Sequence, residues 1–175
     1  MSFLEWFTGL FKPATKAVLP MSPEFPFTVE IDGNDLVCTG IATAFGGAYD
    51  PMDNGETASG VNTKRNPLIL GCALPMDGYG VRSLNGSPFP KMPFGLHHDG
   101  TTNPDGVHIV LELPGNRVIG PIPVIDLGPS GGTGHALDLT VATARMLDPH
   151  ATASNFEQRI KFRVLGGAKY LNAKA

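Results

Sequence analysis

PIPVIDLGPSGGTGHALDLTVATARML, Pro121 to Leu147, is the stretch whose reading decides the fold. It opens with an apolar run, Ile122 to Ile125, that ends on Asp126. A loop rich in Gly and Ser follows, then a second short run, His135 to Leu139, that carries Asp138. From Leu139 the pattern changes: Val141, Ala142, Ala144, Met146 and Leu147 suit a short amphipathic helix with Thr140 near its N-cap. Two carboxylates are thus expected at the ends of two strand-like segments joined by a flexible loop. Glycines let a backbone approach a ligand closely, and a carboxylate at a strand end can face a cleft. A plainer reading stands beside this one, in which Asp126 starts a turn and Asp138 caps the helix.

Composition bounds what surrounds this stretch. The chain has 175 residues, enough for one domain with a real core. Its hydrophobic content of 42% is that of a globular protein. With 22 Gly, 16 Pro and few long segments of helical period, a β-rich fold with many turns is expected. A net charge of -3 and the lack of a Lys/Arg cluster argue against a nucleic-acid surface. Cys38 and Cys72 lie in apolar runs and read as buried free thiols, with a disulfide between neighbouring strands as the alternative. Two cysteines do not decide the compartment.

The N-terminus has no basic leading region, and Glu5 interrupts what would be the apolar core of an export signal, so no signal peptide is recognisable. The segment is also too short to span a bilayer. Phe3, Leu4, Phe7, Leu10 and Phe11 share one helical face, with Trp6 near its border. An amphipathic helix over residues 2–11 is expected, packing on the domain, on a partner protein or on a membrane surface. Lys12 to Pro26, with four prolines, reads as a linker or extended arm. The chain divides into a helix and arm (1–26), a barrel domain (27–168) and a tail (169–175).

Strands follow in order. Phe27 to Ile31, the turn Asp32-Gly-Asn-Asp35 and Leu36 to Phe45 form a hairpin. Leu68 to Leu74 is a short apolar strand. Val107 to Leu113 and Val118 to Ile125 form a second hairpin, and Asn155 to Leu165 a final alternating strand. Six or so strands, one short helix and long loops favour a small closed barrel. The loop Gly46 to Gly60 carries Asp50, Asp53 and Glu56, whose spacing does not match an EF-hand. It reads as a wet loop at the mouth of a site. His97-His98-Asp99 lies in the irregular Pro75 to Gly106 stretch, where no second cluster completes a metal site. No metal or cofactor is expected.

Several motifs occur in the order of a known family. Thr57-Ala-Ser-Gly60 is similar to a T-A-S-G loop, and Met92-Pro-Phe-Gly95 to L-P-F-G. His108 to Pro129 resembles a strand, a turn and a strand ending in N-D-R-G-P. His135-Ala-Leu-Asp-Leu-Thr140 resembles R-V-I-D-L-S or Q-H-F-D-I-Y. Over about Thr39 to Leu147 the chain therefore resembles the double-psi β-barrels of cell-wall enzymes: the rare-lipoprotein-A-like proteins, the "3D" domain and the barrel of MltA-type lytic transglycosylases. Pro75 to Lys91 reads as an insertion. The resemblance implies a mainly β, six-stranded double-psi barrel with one short helix, acting on peptidoglycan glycan strands.

Asp126 is similar to the catalytic aspartate of the rare-lipoprotein-A-like enzymes, and Asp138 to that of the MltA type. Two departures stand out. Val61 occupies the place of the Glu that follows T-A-S-G, and the His expected before L-P-F-G is missing near Cys72 to Leu74. Ordinary glycoside hydrolysis needs two flanking carboxylates. In a lytic transglycosylase, as the resemblance implies, the 6-hydroxyl of muramic acid attacks instead, and one carboxyl group can serve as acid and then base. Asp138 is the expected acid/base, with Asp126 tuning it and binding sugar hydroxyls. Tyr49, Thr57, Ser59, Gly60 and His135 are the expected substrate-binding residues. The competing expectation is a non-catalytic glycan-binding or structural barrel. A cell-envelope or virion-associated component that reaches the wall without a signal peptide belongs with it. The two separate on geometry, because an enzyme needs Asp126 and Asp138 on one open groove.

Overall fold

The computed structural model describes residues 16–50 and 53–173. The expected helix over residues 2–11 lies outside them. Eight strands make one sheet: β1 (Ala17–Val18), β2 (Val29–Asp32), β3 (Asp35–Phe45), β4 (Cys72–Leu74), β5 (His108–Leu113), β6 (Arg117–Leu127), β7 (His135–Thr140) and β8 (Glu157–Val164). Their order is β1-β2-β3-β7-β4-β6-β5-β8, and β8 returns to pair with β3. Six strands, β3 to β8, therefore close into a barrel, which removes the exposed edges an open sheet would leave. β1 and β2 flank it on the first half of β3.

Closure depends on two long strands that change partners along their length. β3 pairs with β2 over Asp35 to Cys38 and runs parallel to β7 from Ile41 to Phe45. β6 is antiparallel to β5 up to Pro123 and parallel to β4 from Val124. Where β3 hands over, it lies so close to β7 that a Cβ on Gly40 would collide with that of Ala136. Only glycine fits there, and the register shifts next to it, between Ile41 and Ala42.

The expected hairpins form: Gly33, with φ +64°, makes the first turn, and Pro114–Asn116 the second. The expected strand over Leu68 to Leu74 shrinks to Cys72–Leu74. Leu68 and Leu70 are exposed, and the Gly71 backbone is taken by Thr143 Oγ1 (2.9 Å to its N–H, 3.1 Å to its carbonyl). Helix α1 is only Val141–Ala144, with Thr140 as its N-cap accepting from the Thr143 N–H at 3.3 Å. Asp138 is thus a strand residue and caps nothing; Asp126 likewise lies inside β6 rather than in a turn.

Inward-facing residues of every barrel strand fill the core, among them Leu36, Ile109, Val124, Leu137, Leu139 and Phe162, each at most 1% exposed. The arm and the Pro75 to Lys91 stretch add aromatic groups to one side of it: Phe89 stacks on Phe162 (ring centroids 6.0 Å), Phe27 lies tilted against Phe89 (5.9 Å) and Phe25 meets Phe27 edge-on (6.1 Å). The insertion is therefore part of the core. Burying side chains of this size contributes about 1.5–3 kcal/mol each. Among the described residues no helix is long and apolar enough to cross a membrane.

Candidate active site

The site follows from register. Asp138 on β7 pairs with Thr43 on β3 and with Ala73 on β4, and Ala73 pairs with Asp126 on β6. In-register neighbours on adjacent strands project to the same face of a sheet. The preceding positions on β4 and the following one on β7, Cys72 and Leu139, together with Val124 on β6, belong to the core. Thr43, Asp138, Ala73 and Asp126 therefore form a row across the outer face of the barrel. Glu157, which pairs with Thr43, extends it onto β8. The two aspartates flank the Ala73 methyl with Cα atoms roughly 10 Å apart, two strand spacings. Ala73 itself is buried, so the methyl group between the two carboxylates is covered.

Each carboxylate is held by one oxygen. Thr43 Oγ1 donates to Asp138 Oδ1. The Ala58 and Leu127 N–H groups both donate to Asp126 Oδ1, each at 2.8 Å. The Oδ2 atoms of both residues accept no hydrogen bond from any described residue. Burial pushes the Asp126 carboxyl up to about 6, against the two N–H donors, and the charges of Asp53 and Asp138 add to the rise. Burial also raises Asp138, opposed by the Thr43 hydroxyl and the nearby His135. The Asp138 charge is one of the causes of the rise at Asp126, so the two titrations are linked.

The loop Thr57 to Gly60 lies over Asp126 and explains how Ala58 reaches it. Thr57 Oγ1 donates to the Val61 carbonyl (2.8 Å) and lies 3.0 Å from the Ser59 hydroxyl. The Ser59 N–H donates to the Ile125 carbonyl (3.0 Å), pinning the loop to β6. Gly60, at φ +89°, closes the turn, and its α-carbon packs so near His98 that a Cβ would stand 2.9 Å from that residue's own. Thr57 thus orders the loop, while half-buried Ser59 borders the row.

His135, paired with Ile41, sits one step along β7, with Nε2 4.0 Å from Glu157 Oε2. Tyr49 is placed elsewhere. It is 96% exposed and lines a cavity of about 570 Å³ at the far end of β3, with Pro67, Leu68, Val141 and Arg145. That cavity contains neither aspartate of the row, although Asp50 and Arg145 are among the residues that line it. Val61 is buried, so no side chain enters the row from the position after Gly60. His97-His98-Asp99 stays an exposed turn, and among the described residues no three His, Cys, Asp or Glu side chains converge on a metal-sized point. Cys38 and Cys72 are free and buried, which removes the disulfide alternative.

Sequence reasoning missed Thr43, which is 95 residues from Asp138. It also missed Ala73 as the buried residue between the carboxylates, and Asp53 as a like charge near Asp126. The alternation Thr39, Ile41, Thr43 was the available signal, since it marks the outer face of β3. The partner on β7 is a property of register alone. Compared with protein-family models, curated proteins and solved structures, the chain matches none.

Proposed function

We propose that this barrel is of the double-psi type and cleaves peptidoglycan glycan strands as a lytic transglycosylase, with Asp126 and Asp138 as its acid/base pair. The two parallel pairings in an otherwise antiparallel barrel, β3 with β7 and β4 with β6, support the double-psi reading. The observation that carries the function is the row itself: two half-buried carboxyl groups of raised proton affinity, flanking one small residue on an outer face. A carboxyl that keeps its proton to about pH 6 can protonate a leaving oxygen near neutral pH.

The resemblance puts the acid on Asp138, but the local fields favour Asp126. Asp126 gives its proton to the glycosidic oxygen as the bond from C1 breaks. The 6-hydroxyl of the same muramic acid then attacks C1 and passes its proton to Asp138. The Thr43 hydroxyl favours the ionised form of Asp138 and so keeps it ready to accept. No water is consumed, and solvent exchange resets the pair. Ser59 and His135 border the row where sugar hydroxyls would lie.

One observation favours a second reading, a glycan-binding barrel without catalysis. Val61 is buried and apolar where the resembled enzymes carry a Glu. Mass spectrometry of purified peptidoglycan after incubation with wild type, Asp126→Asn and Asp138→Asn separates the two. Anhydro-ended muropeptides from wild type alone are expected. No products from any of the three, with all three still sedimenting with wall material, would overturn the enzyme in favour of the binding barrel.

A further inference from the structure

Away from the carboxylate row, the cavity of about 570 Å³ at the far end of β3 is built by three loops and the start of α1. Its volume is that of a small-molecule site, for which about 300–1,000 Å³ is usual. Buried Ala44 and Val141 form its base. The chain leaves β3 through Gly46 and Gly47, both at positive φ (+72° and +83°), and carries Tyr49 to the rim. Leu68 reaches the same rim because Thr143 holds the Gly71 backbone and keeps that apolar run off the sheet. Tyr49 is 96% and Leu68 79% exposed. Large apolar groups left in water beside a concavity gain on being covered, and they mark binding surfaces more often than they occur without purpose.

The polar groups of the lining are few and differ in what they have to offer. Asp50 braces its own loop, Oδ2 accepting the Gly46 N–H at 3.0 Å. Arg145 is anchored through Nε, which donates to the Ala151 carbonyl at 3.1 Å. Its two terminal nitrogens bond no described residue, so an oriented guanidinium keeps a pair of donors for a planar anion. The Thr152 and Ser154 hydroxyls, 3.2 Å apart, stand on the same lining and add hydrogen-bonding capacity there. A single guanidinium, with the Asp50 charge in the same lining, matches one negative charge better than the two of a phosphate group. An apolar base, an exposed aromatic ring on the rim and one forked donor together describe a ligand with a flat apolar body and one carboxylate.

We propose that this cavity binds an aromatic monocarboxylate, with its ring system over Ala44 and Val141, covered by Tyr49 and Leu68, and its carboxylate on Arg145. No residue of the carboxylate row lines the cavity, so this site stands whether or not the row cleaves glycan.

The test uses naphthylacetate and naphthylacetamide, which share a ring system and a shape and differ in charge. Binding to the full chain is measured by NMR titration at low and at moderate salt, with wild type, Arg145→Gln and Leu68→Ser. The acid should bind wild type about fivefold more tightly than the amide, the scale of a single solvent-accessible ion pair, with the margin narrowing as salt rises. Arg145→Gln should bring the acid down to the affinity of the amide and leave the amide unchanged, which also shows that the cavity is intact in that variant. Leu68→Ser, at a position too exposed to disturb the fold, should weaken both probes about fivefold through lost apolar contact. No binding of either probe to wild type, equal affinity for acid and amide, or a preference that survives Arg145→Gln would overturn the proposal. So would affinities that Leu68→Ser leaves unchanged, since the probes would then lie elsewhere.

Discussion

Replacing Asp126 by Asn should make the protein more stable and remove the proposed transglycosylase activity. The folded carboxyl holds its proton up to about pH 6, against an ordinary value of 3.8, because burial disfavours its charge. Above pH 6 the residue is ionised in both folded and unfolded chains, and the folded state bears the full desolvation cost. At 1.36 kcal/mol per pH unit, the gap between 3.8 and about 6 corresponds to about 3 kcal/mol. As pH falls through the folded value and then the unfolded one, that cost disappears, leaving roughly 0.5 kcal/mol at pH 4. The Asn amide resembles the protonated carboxyl as a neutral acceptor for the Ala58 and Leu127 N–H groups, so their weakening is already contained in the shifted value. The variant should therefore gain up to about 3 kcal/mol at pH 8, roughly 6 to 12 °C in melting temperature for a chain of this size, and almost nothing at pH 4. Urea unfolding of both proteins at the two pH values measures it. An Asn variant no more stable than wild type at pH 8, or equally stabilised at both, would refute the desolvated carboxyl and with it the basis for an acid at this position.

Two further outcomes test the site and the core. Thr43→Val removes the hydroxyl that donates to Asp138 and should raise that carboxyl further, moving the acidic limb of the pH–activity profile up by about one unit, the worth of a hydrogen bond to a charged group; Thr43→Ser should restore it. An unmoved limb would show that the Thr43 hydroxyl does not set the protonation of Asp138. Burial pushes the Cys38 thiol up to about 12 and Cys72 higher still, so neither should react with a disulfide reagent at pH 8 until the chain unfolds. Rapid labelling of either in the native protein would contradict the packing around it.

Much of this barrel was legible in the residues alone. Alternation in Val107 to Leu113 and in Asn155 to Leu165, together with the turns at Gly33 and Gly115, marked strands and hairpins because period and turn chemistry are local properties. Thr140 announced its helix for the same reason. The two aspartates stood out as polar residues closing apolar runs. Apolar character failed as a guide at Leu68 to Gly71, where hydrogen bonds to Thr143 divert a hydrophobic run from the sheet. It failed again at Phe25 and Phe89, which Pro-rich surroundings disguised as linker and insertion although they fill the core.

Asp126, Ala73, Asp138 and Thr43 become one row only when four strands come into register. That depends on β3 and β6 each exchanging one partner for another midway along its length. Nothing within a strand encodes which neighbour it will meet, since pairing is set by the closure of the whole sheet. The raised proton affinity of Asp126 is likewise a product of burial beneath a loop nearly seventy residues away in the chain. Residue order determined which groups could do chemistry. Three-dimensional closure determined which of them face one another, because side-chain direction is a local matter of strand period while proximity and desolvation belong to the assembled barrel.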